Sequence, residues 1–300
     1  MKNLRTILVA YDGSPDSRAS LDIAIHLANR TGASLNIVKV FETDVGASLW
    51  ADGPNITRIL EIFEAEKENG RKLVELACER CRSLGIEAQS TLLAGPVAAS
   101  LLRHVQEYKI DLIVAGNKGQ GIFREAMTGS TTSSLVELSP VPVLVVKEKN
   151  RVGKLKKLLL GYDGSDSSKK ALNWAMDFCK ATGAELKAVT VSDPSSLAMI
   201  YVMSGAESAE SFSRKIAAWV EEEKKLLSEI DDFGKKSGVN VAVEALQGNT
   251  VDAIIKYGQQ ADADLLVVGS KGRSAVAALL LGSVARGLLH LSTVPVLVVK

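Results

Sequence analysis

"ILVAYDGS" (Ile7–Ser14) and "LLLGYDGS" (Leu158–Ser165) set the same turn after the same kind of apolar run, 151 residues apart from Asp12 to Asp163. The repetition runs the length of the chain. "TGA" at 31–33 returns at 182–184 with that offset, whereas Gly116 recurs as Gly269, and "VPVLVVK" at 141–147 recurs at 294–300, with an offset of 153. Two residues inserted between the second and third strands account for the change. A chain-long repeat fixes the number of domains and of sites together. Two colinear α/β domains are expected, at 1–148 and 157–300, joined by a polar linker at 149–156.

Within the first copy, "RTILVAY" is an unbroken β-branched and aliphatic run, the pattern of a strand buried on both faces. Ser14 before Pro15 supplies a helix cap and a first helical position, Leu21, Ala24, Ile25 and Ala28 recur at helical spacing, and Gly32 stops the helix. The second copy repeats that stripe as Leu172, Ala175, Met176 and Cys179. The strand "SLNIVKVF" follows, then a long charged helix to about Gly85 with Leu73, Leu76, Ala77 and Cys81 read as its apolar face. "IEAQSTLLA", "VAASLLRHVQEY", "DLIVAG", a glycine-rich loop, another helix and "VPVLVVK" complete the alternation. Parallel strands need crossover helices, so this order specifies an open, parallel, five-stranded sheet with helices on both faces, Rossmann-like, in each copy. "VPVLVVK", last in each copy, is expected at a sheet edge.

Composition narrows the function classes. With 46% hydrophobic and 24% charged residues and a net charge of +1, the chain is a globular protein without the basic footprint of a nucleic-acid binder. The apolar run before Asp12 is too short for a signal peptide or a bilayer span, and Arg286 interrupts the run at Val276–Leu289, so a cytoplasmic protein without membrane contact is expected. Three cysteines, an odd number, argue against a disulfide framework, and the C-x-x-C of Cys78 and Cys81 lacks a second ligand pair for zinc. His26, His104 and His290 share no spacing and have no counterparts in the other copy, so neither a metal cluster nor a catalytic one is expected.

The most informative stretch is "GNKGQGIFREAMTGST" after the fourth strand, with its copy "GSKGRSAVAALLLGSV". Gly116, Gly119, Gly129 and Ser130 keep the spacing of Gly269, Gly272, Gly282 and Ser283. Glycines at a strand's carboxyl end admit positive φ and let backbone amides approach a ligand without a Cβ in the way. The following helix start favours an anion through its free N–H groups and its dipole. A phosphate cradle is one reading of this frame, and simple turns are the other. Two better-known phosphate motifs do not fit. Ile122 stands where the Walker A loop needs lysine, while Arg124, and Ser274 in the second copy, replace glycines of the dinucleotide fingerprint.

The glycine frame, matched twice and accompanied by an aspartate after the first strand, resembles the universal stress protein family in its tandem form, over essentially the whole chain. The resemblance implies ATP as ligand, with or without Mg2+. It places Asp12 and Asp163 beside the nucleoside, and gives Val40 and Val191 backbone contacts to adenine. The phosphates fall to Gly116, Gly119, Gly129 and Ser130, and to Gly269, Gly272, Gly282 and Ser283. Lys118 and Lys271 lie inside the loops, where an ammonium would neutralise phosphate charge or serve solubility alone. Thr131 and Thr132 follow Ser130 with hydroxyls that can donate to phosphate, where the second copy has Val284 and Ala285 and leaves more of that task to the helix amides.

The expected function is that of a cytoplasmic ATP-binding stress-response protein acting through nucleotide-dependent conformation or assembly. Its domains would pair through Val141–Lys147 and Val294–Lys300, within the chain or in a homodimer. No catalytic residue is nominated, and any ATP hydrolysis is expected to be slow. One alternative is an interaction module that binds no nucleotide. Another is an adenylating enzyme, because "DGSPDS" (12–17) resembles the S-G-G-x-D-S loop of ATP pyrophosphatases. There Asp12 and Ser14 depart from the motif, and the second copy loses its aspartate. Of the two sites, the second is expected to bind more tightly, because its spacer "RSAVAALLL" is the more apolar and would be better ordered.

Overall fold

The computed structural model describes residues 4–42, 56–119, 129–149, 155–193, 209–273 and 281–300. The chain divides into two compact units, Met1–Val152 and Gly153–Lys300. The first unit runs β1 (Thr6–Ala10), α1 (Pro15–Thr31), β2 (Ser34–Phe41), α2 (Ile56–Ser83), β3 (Ala88–Ala94), α3 (Val97–Glu107), β4 (Leu112–Gly116), α4 (Ser130–Leu138) and β5 (Val143–Val146). The second runs β6 (Lys157–Gly161), α5 (Asp166–Thr182), β7 (Glu185–Ser192), α6 (Ala209–Ser237), β8 (Val241–Gln247), α7 (Thr250–Gln260), β9 (Leu265–Gly269), α8 (Ser283–Leu291) and β10 (Val296–Val299).

Within each unit the strands are parallel, in the order β3-β2-β1-β4-β5 and, correspondingly, β8-β7-β6-β9-β10. From β1 the chain steps outward to β2 and β3, then returns to place β4 on the other side of β1. That reversal is the switch point at which open α/β sheets leave a crevice at their carboxyl ends. Its register pairs Ile7 with Leu112 and Ala10 with Ala115, and Leu158 with Leu265 in the second unit. β5 and β10, the two "VPVLVVK" runs, are each the outermost of their own unit's five strands.

The cores follow the pattern of the sequence. Ile7, Leu8 and Val9 are consecutive and all fully buried, which requires both faces of β1 to be covered. α1 buries Leu21, Ala24, Ile25 and Ala28 on the side facing the sheet. Each buried side chain of leucine size is worth about 1.5–3 kcal/mol, so this stripe suffices to fix the helix. Ser14 caps α1, its hydroxyl oxygen accepting the Ser17 N–H at 3.3 Å, and Pro15 takes the first helical position. Gly32 closes it at φ +73°, donating its N–H to the Ala28 carbonyl at 2.8 Å. Ser165 and Gly183 do the same for α5.

α2 corrects one expectation. Leu76 is 65% exposed, and the inward side carries Val74, Ala77, Cys78 and Cys81. Apolar residues at 73, 76 and 77 fit helical spacing as well as 74, 77, 78 and 81 do, and contact with the sheet selects the second set. Burial pushes the thiols of Cys78 and Cys179 up to about 11 and about 12, so both are packing groups rather than nucleophiles. His104 is buried as well. Its Nε2 meets Asn36 Nδ2 at 2.8 Å, and Asn36 Oδ1 accepts the Thr91 hydroxyl at 2.9 Å. The change in repeat offset falls between β2 and α2, in the stretches 43–55 and 194–208 outside the described residues.

Candidate functional site

β1 and β4 are neighbours in the sheet, and beyond their last paired residues the two chain segments are held together by side chains. After β1 the backbone turns at Gly13, with φ +80°, while Asp12 Oδ1 accepts the Ser14 N–H at 2.9 Å. A positive φ at this point is what the glycine supplies. Ser14 Oγ then donates to the Lys118 carbonyl at 3.4 Å, and Asp16 Oδ2 accepts the Lys118 N–H at 2.9 Å. The other oxygen, Asp16 Oδ1, accepts the Glu148 N–H beyond β5 at 2.7 Å. One carboxylate in the first turn of α1, where the helix dipole favours negative charge, thus ties three segments together.

The second unit makes the same junction with different atoms. Asp163 Oδ1 accepts both the N–H and the hydroxyl of Ser165, at 3.1 and 2.6 Å, and Oδ2 accepts the Arg273 N–H at 3.1 Å. Ser167 replaces Asp16. Its hydroxyl donates to the Lys271 carbonyl and its oxygen accepts the Lys271 N–H.

The glycines have distinct tasks. A Cβ on Gly116 would lie 2.9 Å from Asp16 Cβ and 3.0 Å from the Ser17 nitrogen, and one on Gly269 would lie 2.7 Å from the Ser167 and Ser168 backbone. These two let β4 and β9 end against the start of a helix. Gly119 and Gly272 pass the Asp12 and Asp163 carboxylates, where a Cβ would sit 2.8 and 2.9 Å from Oδ2. Gly129 donates its N–H to the Asn117 carbonyl at 2.9 Å, and Gly282 donates to Ser270 at 2.8 Å, closing each loop at its neck. The loop interiors, 120–128 and 274–280, lie outside the described residues.

From that neck α4 and α8 begin, capped by Gly129 and Gly282 with no side-chain hydrogen bond. The first N–H groups of a helix lack partners within it, and its positive dipole end lies there. Ser130 and Ser283 are exposed, and Thr131 and Val284 are half-buried. Thr132 departs from the expectation that its hydroxyl serves a ligand. It is buried and donates to the Gly116 carbonyl at 2.6 Å, pinning the start of α4 to the end of β4.

Val40 and Val191 complete the crevice. Tyr11 N–H donates to the Val38 carbonyl at 2.8 Å, the last bond between β1 and β2, while Phe41 accepts from Gly95 on the β3 side. Peptide groups alternate sides along a strand. Val40 therefore turns its N–H and carbonyl toward the β1 side, where no strand remains opposite among the described residues. Val191 is placed the same way, between Val189, which accepts from Tyr162, and Ser192, which accepts from Gly248.

Lys118 and Lys271 are half-buried within their loops. Lys147, after β5, sits close enough to feel both Asp16 and Lys118. Burial pushes its ammonium down from the ordinary lysine value, with Asp16 opposing and Lys118 adding to the shift. Asp16 and Lys147 were not nominated from sequence. The signal for Asp16 was the difference between copies, aspartate against Ser167. With both its oxygens holding backbone amides, Asp16 is a junction residue. Among the described residues, no group of three or more His, Cys, Asp and Glu side chains is arranged to hold a metal ion, and no helix is long and apolar enough to cross a membrane.

Comparison with known proteins agrees with this frame. The model of the universal stress protein family matches residues 3–147 and again 154–300. A universal stress protein of Mycolicibacterium smegmatis is 27% identical over 305 residues, covering 98% of this chain and 96% of its own length. The Bacillus subtilis universal stress protein YxiE is 35% identical over 146 residues, which are 47% of this chain and 97% of its own. The crystal structure of a universal stress protein from Archaeoglobus fulgidus shares the fold, with a TM-score of 0.70 and 20% identity over 98% of both chains.

The close approach of Gly116 and Gly269 to helix backbone is testable by stability alone. Adding a methyl forces backbone apart, and such overpacking costs about 1–3 kcal/mol. Gly269→Ala, with the deeper overlap, should lower unfolding stability in urea more than Gly116→Ala. A loss below about 0.5 kcal/mol for both, the range of ordinary surface substitutions, would contradict the packing role.

Proposed function

The chain belongs to the universal stress protein family, as a tandem member with two copies of the domain, and on that premise we propose that it binds an adenine nucleotide at the β1/β4 switch point. Occupancy is signalled through the glycine loop and through assembly, in a stress response. The observation that carries this reading is the coincidence, at the carboxyl end of one sheet, of three features. These are a loop necked by Gly129 and Asn117, a helix start at Ser130 without a side-chain cap, and the strand-end backbone of Val40 turned into the same crevice. Phosphates fit the first two, through backbone N–H groups and the dipole of α4. An adenine edge, which carries both a donor and an acceptor, fits the third.

Lys118 and Lys147 supply cationic charge beside the loop, and Mg2+ would accompany the phosphates rather than a protein cage. Hydrolysis is not part of the proposal. The rival in which the protein binds no nucleotide and serves only as an interaction module is separated by direct titration. Assembly is assigned to β5 and β10, each outermost in its own unit. Val145→Pro removes a ladder donor there, and an unchanged small-angle scattering profile would contradict that assignment.

Asp12→Ala removes the acceptor for Ser14 N–H and the carboxylate against Gly119. Calorimetric titration with ATP should show affinity at least tenfold weaker, with a stability loss of about 1 kcal/mol from the missing turn bond. Wild-type affinity combined with a lowered melting temperature would make Asp12 a turn cap only, and would remove it from the site.

A further inference from the structure

The two crevices differ in what the long helix after the second strand lays across them. In the second unit, one face of α6 reaches three strand-end segments of the site, those after β6, β7 and β9. Glu222 Oε1 pairs with Arg273 Nη1 at 2.5 Å, on the loop residue after Gly272. Glu223 Oε1 accepts the Ser192 hydroxyl at 3.1 Å, at the end of β7. Leu226 lies against Gly164 in the turn, 2.6 Å from where a Cβ would stand. Glu229 Oε2 accepts the Tyr162 hydroxyl at 3.0 Å, just after β6. Positions 222, 223, 226 and 229 fall on one side of a helix. Burial, together with the hydrogen bond to the Glu229 carboxylate and its charge, pushes the Tyr162 phenol up.

The first unit has none of these carboxylates. With the offset of 153 that holds beyond β2, Glu222, Glu223 and Glu229 correspond to Asn69, Gly70 and Leu76. Gly70 leaves room for the stem of Lys39, whose Cδ and Cε would be 3.4 Å from a Cβ there. Thr190 replaces that lysine in the second unit. Burial pushes the phenol of Tyr11, the counterpart of Tyr162, up as well, with the guanidiniums of Arg18 and Arg80 opposing and the carboxylates of Asp22 and Asp12 adding. Arg80 is itself paired with Asp22 at 2.6 Å, and Phe233 stands where Arg80 would be. At corresponding places the second crevice presents three carboxylates where the first has none, and the first adds the ammonium of Lys39. A nucleotide with three phosphates at neutral pH carries about −3 to −4 charge. Like charges at short range oppose its entry.

Resting on the nucleotide reading above, we propose that the chain takes one adenine nucleotide, in the crevice of the first unit, and that α6 closes the second crevice against polyanions through Glu222, Glu223 and Glu229. This reverses the ranking expected from the loop sequences. The spacer between glycines bears on loop order, but the sign of the charge facing the crevice decides which ligands enter.

The test is stoichiometry and location. Equilibrium dialysis of the full chain with ATP should give one nucleotide per chain. Photolabelling with 8-azido-ATP should place the label on peptides of the first unit. Gly119→Glu should lower first-site binding by at least tenfold. Replacing Glu222, Glu223 and Glu229 together with glutamine should add a second nucleotide per chain or raise labelling of the second unit by at least tenfold. Wild-type stoichiometry of two, or label on the second unit, overturns the proposal while leaving nucleotide binding intact. Absence of binding in the wild type overturns the function itself. Both wild-type measurements stand even if a variant fails to fold.

Discussion

The site depends on how the turn after β1 grips the loop after β4. A parallel sheet brings these strand ends side by side but supplies no bonds beyond the last paired residues. Here Ser14 and Asp16, at the start of α1, bond the backbone of Lys118, and Asp12 lies against Gly119. The second unit keeps the grip with Ser165 and Ser167 on Lys271 and Asp163 on Arg273. Two different sets of side chains for one junction show where the constraint lies. The loop must be anchored at its base, and both carboxylate and hydroxyl chemistry satisfy that need.

Anchoring also explains why glycine recurs at a fixed spacing. Gly116 lets the strand end abut a helix start, Gly119 lets the loop pass a carboxylate, and Gly129 closes the neck before α4. Only Gly13 and Gly164, of the glycines in this junction, need a left-handed backbone. The frame is a set of steric permissions, each granted by a missing Cβ. Its result is a helix start without a side-chain cap beside an anchored loop, an arrangement suited to holding an anion without a dedicated cationic cage.

Much of this was legible in the sequence. The duplication, the two-sided strands, the Ser14 and Gly32 caps and the parallel α/β class all rest on local patterns that tertiary packing reinforces. The register of β2 puts the Val40 backbone beside the end of β1, while its contact with adenine rests on the family resemblance alone. Less was legible wherever a residue's partner is distant in sequence. Asp16 reads as an ordinary first-turn acid until Lys118 and Glu148 are placed beside it. Leu76 fits a helical stripe as well as Val74 does, until the sheet selects one. Glu222, Glu223 and Glu229 look like a solvated helix face, and only the strand ends beneath them reveal what they confront. The loop cores at 120–128 and 274–280 were read from spacing alone.

The central claim is that an anchored glycine loop and the helix start behind it form the nucleotide's phosphate seat. Hydrogen exchange of backbone amides, followed by mass spectrometry with and without saturating ATP, tests it most directly. The account predicts slowed exchange in peptides spanning Gly116–Gly119 and Gly129–Thr132 and in the peptide containing Val40, with the matching peptides around Gly269, Ser283 and Val191 unchanged. Unchanged exchange at the first loop under saturating ATP, or protection appearing only elsewhere in the chain, would contradict it.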